Sequence, residues 1–239
     1  MNRPLFQLNH RLQCCASMLR PQKRMADIGT DHAYLPIWAV RQGLTSYAIA
    51  SDINQGPLDA ALRNVIRYHT EGKMELRRSN GLQGFSPQDA DDIVIAGMGG
   101  ELIAKILAEA SWLKDPEKRL ILQPMTSPEE LRLFLGEEGY CVRKEPVVED
   151  GGRIYAVMLV EYTGEKTQPD DLYLQIGKVA GDTDEEKKYL KNRATLLQKR
   201  AQGLRIQGLH ADAEHLFAVE QEILRRAGLV QSAEIQEQK

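Results

Sequence analysis

The sequence predicts an α/β protein, in which a parallel sheet with helices on both faces is followed by a pair of C-terminal helices. From residue 23 to residue 140, segments of strand character alternate with segments of helical spacing, and this alternation is typical of a parallel sheet. Residues 93–96 are all apolar, as expected for a strand that is covered on both faces. Beyond residue 165 charged residues become frequent and leucines recur at intervals of seven, which indicates a coiled coil.

Local patterns predict each element of the sheet domain. A first helix is predicted over 5–19, where Leu5, Leu8 and Leu12 have helical spacing and Pro21 ends it. Short apolar segments that end at turn residues predict five strands: Arg24–Gly29, Tyr47–Asp52, Met74–Arg78, Asp92–Ala96 and Leu120–Gln123. Amphipathic segments between them predict four helices: His32–Gln42, Gly56–His69, Glu101–Ala110 and Ser127–Glu138.

Two signals describe the end of this domain. Ser127 and Glu130 have the spacing of a capping box at the start of the last helix. Two closing strands, 140–149 and 154–162, flank Asp150-Gly151-Gly152, which is a hairpin signal and would add an antiparallel edge. Five alternating strands with a terminal hairpin resemble the build of class I methyltransferases, whereas dinucleotide-binding dehydrogenases usually continue with further strand–helix units.

The C-terminal part is predicted to be a separate helical domain over 166–239, after a Rossmann-like domain over 1–165. Helices are expected over 184–204 and 212–229, with a turn around Gly208. The heptad positions of an antiparallel two-helix coiled coil would be Leu190, Leu197 and Leu204 in one helix and Leu209, Leu216 and Ile223 in the other. The last eight or so residues, ending in QEQK, are expected to fray.

Composition excludes several classes of protein. With 42% hydrophobic and 27% charged residues in 239 positions, the chain can bury a core, which excludes disordered and fibrous classes. No apolar run reaches the length of a transmembrane helix, and the N-terminus has no secretory signal pattern. Three cysteines form neither a disulfide framework nor a CxxC metal site. We therefore expect a cytoplasmic protein without a membrane partner or a bound metal.

The net charge of −3 hides an uneven distribution. Residues 1–25 carry +5, residues 26–167 carry −7 and residues 168–239 carry −1. A basic arm on an acidic body suggests a polyanionic partner. A solvated basic helix end would explain the same pattern without a partner.

The turn after the first strand is the first candidate binding site, because ligands of open α/β sheets bind beyond the carboxyl ends of the strands. It has the sequence DIGTDHAYLP over 27–36. Gly29 allows a ligand to approach the backbone closely, but the dinucleotide fingerprint GxGxxG is absent. The Asp-x-Gly-x-Gly-x-Gly loop of methyltransferases is closer, with Asp31 and Ala33 in the later glycine positions. An N-cap aspartate beside a surface histidine is the structural alternative.

Three further loops follow the other strands. Asp52 and Ile53 end the second strand, where an acid can accept both ribose hydroxyls of an adenosyl group, or simply cap the next helix. Asn80-Gly81-Leu82 can contact an adenine edge, or form an ordinary turn. Ala96-Gly97-Met98-Gly99 leaves space above the fourth strand for a transferable group, or for tight helix packing. It lacks the (Asp/Asn)-Pro-Pro-(Tyr/Phe) pattern common in methylases of amino groups, which favours a ring nitrogen as the acceptor.

The motifs DIGTDHAYLP, SDINxGP, RNV, SNGL and AGMGG, in this order, resemble the bacterial tRNA (adenine-22-N1)-methyltransferase family (the TrmK group). The resemblance covers the whole chain and implies S-adenosyl-L-methionine as the cofactor and a tRNA adenosine as the substrate. The loop residues expected at the cofactor are Asp27, Gly29, Thr30, Asp31, His32, Asp52, Ile53, Asn80, Gly81, Leu82, Ala96, Gly97, Met98 and Gly99.

Four residues are expected to act in catalysis. Asp31 would accept a hydrogen bond from the cofactor's amino group or from adenine N6, and Tyr34 would stack on the flipped base. His32 would be a second contact or a local helix-start residue. Met98 would line the transfer channel together with its neighbouring glycines. Since the N1 lone pair is free to attack, neither a general base nor a metal is required.

Two basic clusters are candidates for binding tRNA phosphates, and we expect a monomer. The predicted RNA-binding residues are Arg11, Arg20, Lys23 and Arg24 in the leading segment and Lys187, Lys188 and Lys191 in the first coiled-coil helix, where Arg193, Lys199, Arg200 and Arg205 add charge. A solvated helix face is the alternative for the second cluster. Competing functions are a nicotinamide-dependent dehydrogenase, a methyltransferase acting on another RNA, a protein or a small molecule, and a non-catalytic adenosyl- or RNA-binding module.

Overall fold

The computed structural model describes residues 4–229. These divide into two compact units, one that ends at Pro169 and one that begins at Asp170. Arg3, one of the five cations counted in residues 1–25, and the C-terminal QEQK segment lie outside the described residues. Within 4–229, no helix is both long enough and apolar enough to cross a membrane.

The first unit is built on a seven-stranded sheet and a separate two-stranded sheet. Its strands are β1 (Arg24–Ile28), β2 (Tyr47–Asp52), β3 (Met74–Arg78), β4 (Asp92–Gly99), β5 (Arg119–Thr126), β6 (Tyr140–Lys144), β7 (Val147–Asp150), β8 (Arg153–Ala156) and β9 (Met158–Tyr162). The main sheet has the order β3-β2-β1-β4-β5-β9-β6. Pairing is parallel from β3 to β5, and β9 is antiparallel to both of its neighbours. The predicted parallel α/β sheet is confirmed.

Five helices of this unit cover both faces of the sheet. They are α1 (His10–Ser17), α2 (Tyr34–Arg41), α3 (Gln55–Arg67), α4 (Gly100–Ala108) and α5 (Pro128–Glu137). Successive strand residues point to opposite faces, so Val94 joins the core that includes Leu35 of α2, while Ile93 and Ile95 join the core that includes Ile103 of α4. This two-sided burial explains the continuous apolar run in β4.

The prediction of a helix over 5–19 is wrong in extent. The Asn9 side chain accepts a hydrogen bond from the Leu12 N–H at 2.9 Å, so α1 begins only at His10. Residues 4–8 are not helical, and the Phe6 ring instead packs edge-on against Tyr34 and Tyr68, with ring centroids 5.0 Å apart in both pairs. Their apolar side chains are explained by core packing rather than by helical periodicity.

The prediction of a capping box at Ser127 is also wrong. Ser127 has a left-handed backbone (φ 49°) and its side chain does not cap α5. Its hydroxyl lies 3.3 Å from a carboxylate oxygen of Glu101 instead. Pro128 opens the helix, and a proline there needs no hydrogen-bond acceptor for its nitrogen.

The closing hairpin is present, but each of its two predicted strands is split. The halves around the Asp150 turn, β7 and β8, pair with each other as a small separate sheet. The outer halves, β6 and β9, join the main sheet. The antiparallel strand was predicted at the edge of the sheet. It lies next to the edge instead, because β9 is placed between β5 and β6. Strand β4 also runs three residues further than predicted, to Gly99.

The second unit consists of α6 (Asp171–Ile176), α7 (Asp184–Ile206) and α8 (His210–Arg226). The sequence analysis did not predict α6, which lies in a polar, turn-rich stretch. The two longer helices pack against each other, as predicted, and Leu190, Leu197 and Ile223 are buried. Leu209 departs from the predicted heptad pattern, because it lies in the turn before α8 and is 46% exposed.

Replacing Gly100 with alanine is expected to destabilise the first unit. A Cβ on Gly100 would lie 2.1 Å from the Ser127 carbonyl oxygen, so the start of α5 would have to move. We expect Gly100→Ala to lower the free energy of unfolding in urea by about 1–3 kcal/mol. The matched control is Gly56→Ala in α3, where no heavy atom lies within 4 Å of the added Cβ. This control should be neutral or stabilising by up to about 1 kcal/mol; equal effects would contradict the prediction.

Candidate active site

A cavity of about 400 Å³ lies at the carboxyl ends of β1 and β4. In the sheet, β1 and β4 are neighbours where the strand order reverses, which is the position at which open α/β sheets bind their ligands. The residues that line the cavity are Asn9, Arg11, Leu12, Asp27, Gly29, Thr30, Asp31, Tyr34, Leu35, Ala96 and Gly97. Seven of these were predicted as cofactor-binding or catalytic residues: Asp27, Gly29, Thr30, Asp31, Tyr34, Ala96 and Gly97.

Asp27 places a buried carboxyl group in the cavity wall. Burial raises the pKa of Asp27 to about 6, although the Thr30 hydroxyl and the Arg11 charge both act to lower it. The Thr30 hydroxyl donates a hydrogen bond to the Asp27 carboxylate at 2.6 Å. A carboxylate that is buried with so little compensation is suited to a ligand that brings positive charge or N–H donors.

The turn at Gly29 brings the backbone close to its neighbours. The N–H groups of Gly29 and Thr30 both donate to the Ser51 carbonyl, at 2.8 Å each. Gly29 has a φ of +73°, and a Cβ there would lie 2.0 Å from the Met98 methyl carbon. Met98 therefore packs directly over Gly29, which only glycine permits. The structure thus brings the first and fourth strand loops together, as the sequence predicts.

Three of the four predicted catalytic side chains, Asp31, His32 and Tyr34, lie in the loop after Thr30 and at the start of α2. The Asp31 carboxylate is exposed and lies 3.1 Å from His32 Nε2. The His32 ring stacks on Tyr34 with centroids 5.5 Å apart, and Tyr34 is 39% exposed. Both His32 and Ala33 have positive φ angles, 61° and 56°. The Asn64 side chain donates to the His32 carbonyl at 3.0 Å and so holds this strained path.

The predicted residues after β2 and β3 do not line this cavity. The Asp52 side chain accepts from the Asn54 N–H at 2.7 Å, which is the local arrangement expected of a helix-start turn. Ile53 is exposed, and Asn80 is exposed in a turn. Gly81 packs against Ile106, and the Leu82 side chain belongs to the hydrophobic core. Gly99, at the end of β4, contacts Thr126 rather than the cavity.

The four basic residues of the leading segment differ in their burial and in their hydrogen-bond partners. Arg11 lies in the cavity wall, where its guanidinium donates to Gln123 Oε1 at 2.7 Å. Arg20 pairs with the buried Asp92 carboxylate at 2.6 Å and donates to two main-chain carbonyls, so its charge is used within the fold. Arg24 is half-buried over the Tyr47 ring and donates to a main-chain carbonyl. Lys23 is exposed.

Arg11 and Gln123 are among the site residues that were not predicted as such. Arg11 was assigned to RNA phosphates, although it contacts the cavity. Gln123 was treated only as a strand end, yet it is fully buried beside Gly97. A polar amide at the end of the apolar run Leu120-Ile121-Leu122 was the signal available in the sequence, because a buried amide requires hydrogen-bond partners.

In the second unit, the predicted RNA-binding lysines Lys187, Lys188 and Lys191 are exposed on α7. Arg193 is buried and donates to Gln175 at 2.6 Å. Arg205 pairs with Glu214 at 2.8 Å. In the part of the chain that the structure describes, no group of three or more His, Cys, Asp or Glu side chains is placed to hold a metal ion.

Comparison with known proteins identifies the family. A methyltransferase-domain family model matches residues 8–158. The tRNA (adenine(22)-N(1))-methyltransferase of Bacillus subtilis is 37% identical over 176 residues, which cover 74% of each chain. The chain belongs to the TrmK family.

Solved structures of the TrmK family have the same fold. The Bacillus subtilis m1A22 tRNA methyltransferase TrmK superposes with a TM-score of 0.83 at 28% identity, covering 92% of this chain and all of that one. Streptococcus pneumoniae Sp1610, in complex with S-adenosyl-L-methionine, superposes with a TM-score of 0.77 at 31% identity and covers 91% of this chain. The predicted fold class is thereby confirmed: a Rossmann-like class I methyltransferase domain followed by a C-terminal helical pair.

Replacing Asp27 with asparagine is expected to stabilise this TrmK-family protein at neutral pH. The folded-state pKa of Asp27, about 6, lies above its ordinary value of 3.8, so the folded state holds the proton more tightly. The free energy of unfolding therefore falls as the pH rises from 3.8 to about 6. Above pH 7, Asp27→Asn should raise the free energy of unfolding by up to about 3 kcal/mol.

Urea unfolding at pH 8 and at pH 4 measures this effect, and the gain should shrink strongly at the lower pH. Asp59→Asn is the matched control, because Asp59 is an exposed aspartate on α3. A loss of stability in Asp27→Asn at pH 8 would contradict the prediction.

Proposed function

We propose that this protein transfers the methyl group of S-adenosyl-L-methionine to N1 of adenine 22 in tRNA. The observation that carries the proposal is the cavity between β1 and β4. It joins the Asp27 loop to the Ala96 loop at the switch point of the sheet, in a chain whose Bacillus subtilis relative is a tRNA (adenine(22)-N(1))-methyltransferase. The bound S-adenosyl-L-methionine of the pneumococcal relative supports the choice of cofactor.

The cavity fits this cofactor on chemical grounds. The buried Asp27 carboxylate suits the N–H donors of an amino-acid ammonium group, which would return the charge compensation that burial removes. Gly29 and Gly97 both line the cavity and have positive φ angles, which side-chain-bearing residues rarely adopt. Asp52, at the end of the adjacent strand β2, stays our candidate for the ribose hydroxyls, with Ile53, Asn80, Gly81 and Leu82 around the adenine.

The chemistry requires little from the protein besides orientation. When bound, S-adenosyl-L-methionine supplies an electrophilic methyl group that bonds to the N1 lone pair, while the electrons of the broken carbon–sulfur bond stay on sulfur. The adenine ring thereby gains one positive charge. The Asp31 carboxylate, exposed in the cavity wall, can stabilise that charge. Tyr34 offers an aromatic face on which the flipped adenine can stack, and His32 supports that ring.

We assign the binding of tRNA phosphates to exposed lysines. The target base is expected to leave its stack. Lys23 before β1 and Lys187, Lys188 and Lys191 on α7 are exposed and can contact phosphates. The target adenine must be splayed out to enter a cavity of about 400 Å³. A monomeric, cytoplasmic enzyme is part of this proposal, and the three free cysteines of the described chain are consistent with a reducing compartment.

Incubation with radiolabelled S-adenosyl-L-methionine and tRNA tests the proposal. A tRNA transcript with adenosine at position 22 should yield labelled 1-methyladenosine after nucleoside digestion. The same transcript with guanosine at position 22 is the control and should remain unlabelled. Labelled N6-methyladenosine would refute the ring-nitrogen assignment, and absence of label in both transcripts would refute the function.

Asp31→Ala is expected to lower kcat for methylation by about 100-fold, because it removes the carboxylate that stabilises the developing ring charge. The affinity for S-adenosyl-L-methionine, measured by calorimetry, should change much less. Asp59→Ala, on an exposed helix face, is the control and should retain wild-type kcat. Unchanged turnover in Asp31→Ala would exclude the catalytic role of Asp31.

Charge reversal on α7 is expected to weaken tRNA binding. In Lys187→Glu/Lys191→Glu, KM for tRNA should rise, and the slope of log affinity against log salt should become shallower by about 2. The kcat at saturating tRNA should be retained. Lys73→Glu, an exposed lysine of the first unit, is a single-charge control. If the double variant keeps both the wild-type KM and the wild-type salt slope, α7 is not part of the RNA interface.

A further inference from the structure

Gln123 is a fully buried amide whose two ends are both engaged. Its Oε1 accepts from the Gly97 N–H at 3.0 Å and from the Arg11 guanidinium at 2.7 Å. Its Nε2 donates to the Pro124 carbonyl at 2.9 Å. With no exposed surface and both ends bonded, the amide has a single orientation available to it.

The contact with Gly97 falls where the sheet ladder is irregular. Regular pairing of β4 with β5 ends at Ala96 and Gln123, and it resumes after a register shift at Met98 and Pro124. At this irregularity the acceptor for the Gly97 N–H is the side-chain oxygen of Gln123 rather than a main-chain carbonyl of β5.

The orientation of one peptide group follows from this bond. The peptide between Ala96 and Gly97 is trans, so its C=O points opposite to its N–H. Since the N–H points toward β5, the Ala96 carbonyl points toward β1, on the side where Gly29 and Thr30 line the cavity with it. The N–H groups of those two residues already donate to Ser51 and are not directed at this carbonyl.

Arg11 makes the same arrangement dependent on the N-terminal segment. Its guanidinium donates to Gln123 Oε1, and its Nε lies 3.9 Å from the Asp150 carboxylate at the end of β7. A Cβ on Gly97 would lie 3.2 Å from the same guanidinium, so Arg11 also fits closely over this glycine. Gln123 is thus the acceptor that joins α1 to the end of β4.

We propose that Gln123 is a positioning residue for methyl transfer: it holds the Ala96–Gly97 peptide so that the Ala96 carbonyl accepts an N–H from an amino group of the bound reactants. The proposal rests on the proposed function. The amino group belongs either to the cofactor's amino acid or to the exocyclic amine of the adenine. Both are N–H donors of the same chemistry, and the kinetic constants separate them.

The test compares Gln123→Met with Gln123→Glu. Methionine removes the acceptor at similar volume, whereas glutamate keeps an oxygen for both Gly97 and Arg11; both variants lose the hydrogen bond to the Pro124 carbonyl, so they differ in the acceptor. We expect Gln123→Met to lower the methylation efficiency at least tenfold, and Gln123→Glu to stay within about threefold of wild type. A weaker Kd for S-adenosyl-L-methionine in calorimetry assigns the carbonyl to the cofactor's amino group. An unchanged Kd with a lower kcat assigns it to the adenine amine.

Gln88→Met, at an exposed position outside the site, is the control and should behave as wild type. Wild-type efficiency in Gln123→Met would overturn the positioning role. Equal impairment of Gln123→Glu and Gln123→Met would also overturn it, because it would show a structural role that the retained oxygen cannot rescue. Failure of the wild-type protein to form 1-methyladenosine would instead refute the proposed function, and the calorimetric comparison would still test Gln123.

Discussion

The buried Asp27 carboxylate near the end of β1 has a charge that the surrounding residues have to compensate. Burial raises its pKa, and two groups act against that rise: the Thr30 hydroxyl in the same turn and the Arg11 charge from α1. Arg11 precedes the first strand, so the packing of the N-terminal segment and the ionisation of Asp27 depend on each other. The same guanidinium donates to Gln123, which holds the Gly97 N–H. One cation thus couples the loops after β1 and β4.

The parts of the fold that local sequence determines were predictable. Strands β2 and β3 have the same bounds in the prediction and in the structure, because each is a short strand-like segment bounded by turn residues. The predicted approach of the Asp27 and Ala96 loops follows from topology, since the carboxyl ends of parallel strands meet at one edge of the sheet. No side-chain detail is needed for either inference, which is why a single sequence sufficed.

Contacts between distant residues were beyond such reasoning. Arg11 and Gln123 are 112 positions apart, and Arg20 and Asp92 are 72 apart. Periodicity and net charge indicate that a segment is basic, but they do not indicate which carboxylate or amide its arginines contact. Three of the four leading cations were therefore assigned to RNA although the fold itself engages them. The predicted extent of the N-terminal helix was wrong for a related reason. The apolar residues of an irregular segment that packs on the core can have the same spacing as the apolar face of a helix.

In the loop after Gly29, one of the two positions that depart from the methyltransferase glycine pattern still has a backbone conformation typical of glycine. Asp31 and Ala33 occupy positions where the pattern has glycine, yet Ala33 has a φ of 56°, in the left-handed region that glycine adopts at little cost. His32 shares this conformation at 61°. Two consecutive left-handed non-glycine residues cost on the order of 1 kcal/mol each, so other contacts must hold them. The Asn64 bond to the His32 carbonyl and the stacking of His32 on Tyr34 do so. The chain thereby keeps a left-handed backbone at Ala33 and gains, in the cavity wall, the Asp31 carboxylate, which a glycine could not supply.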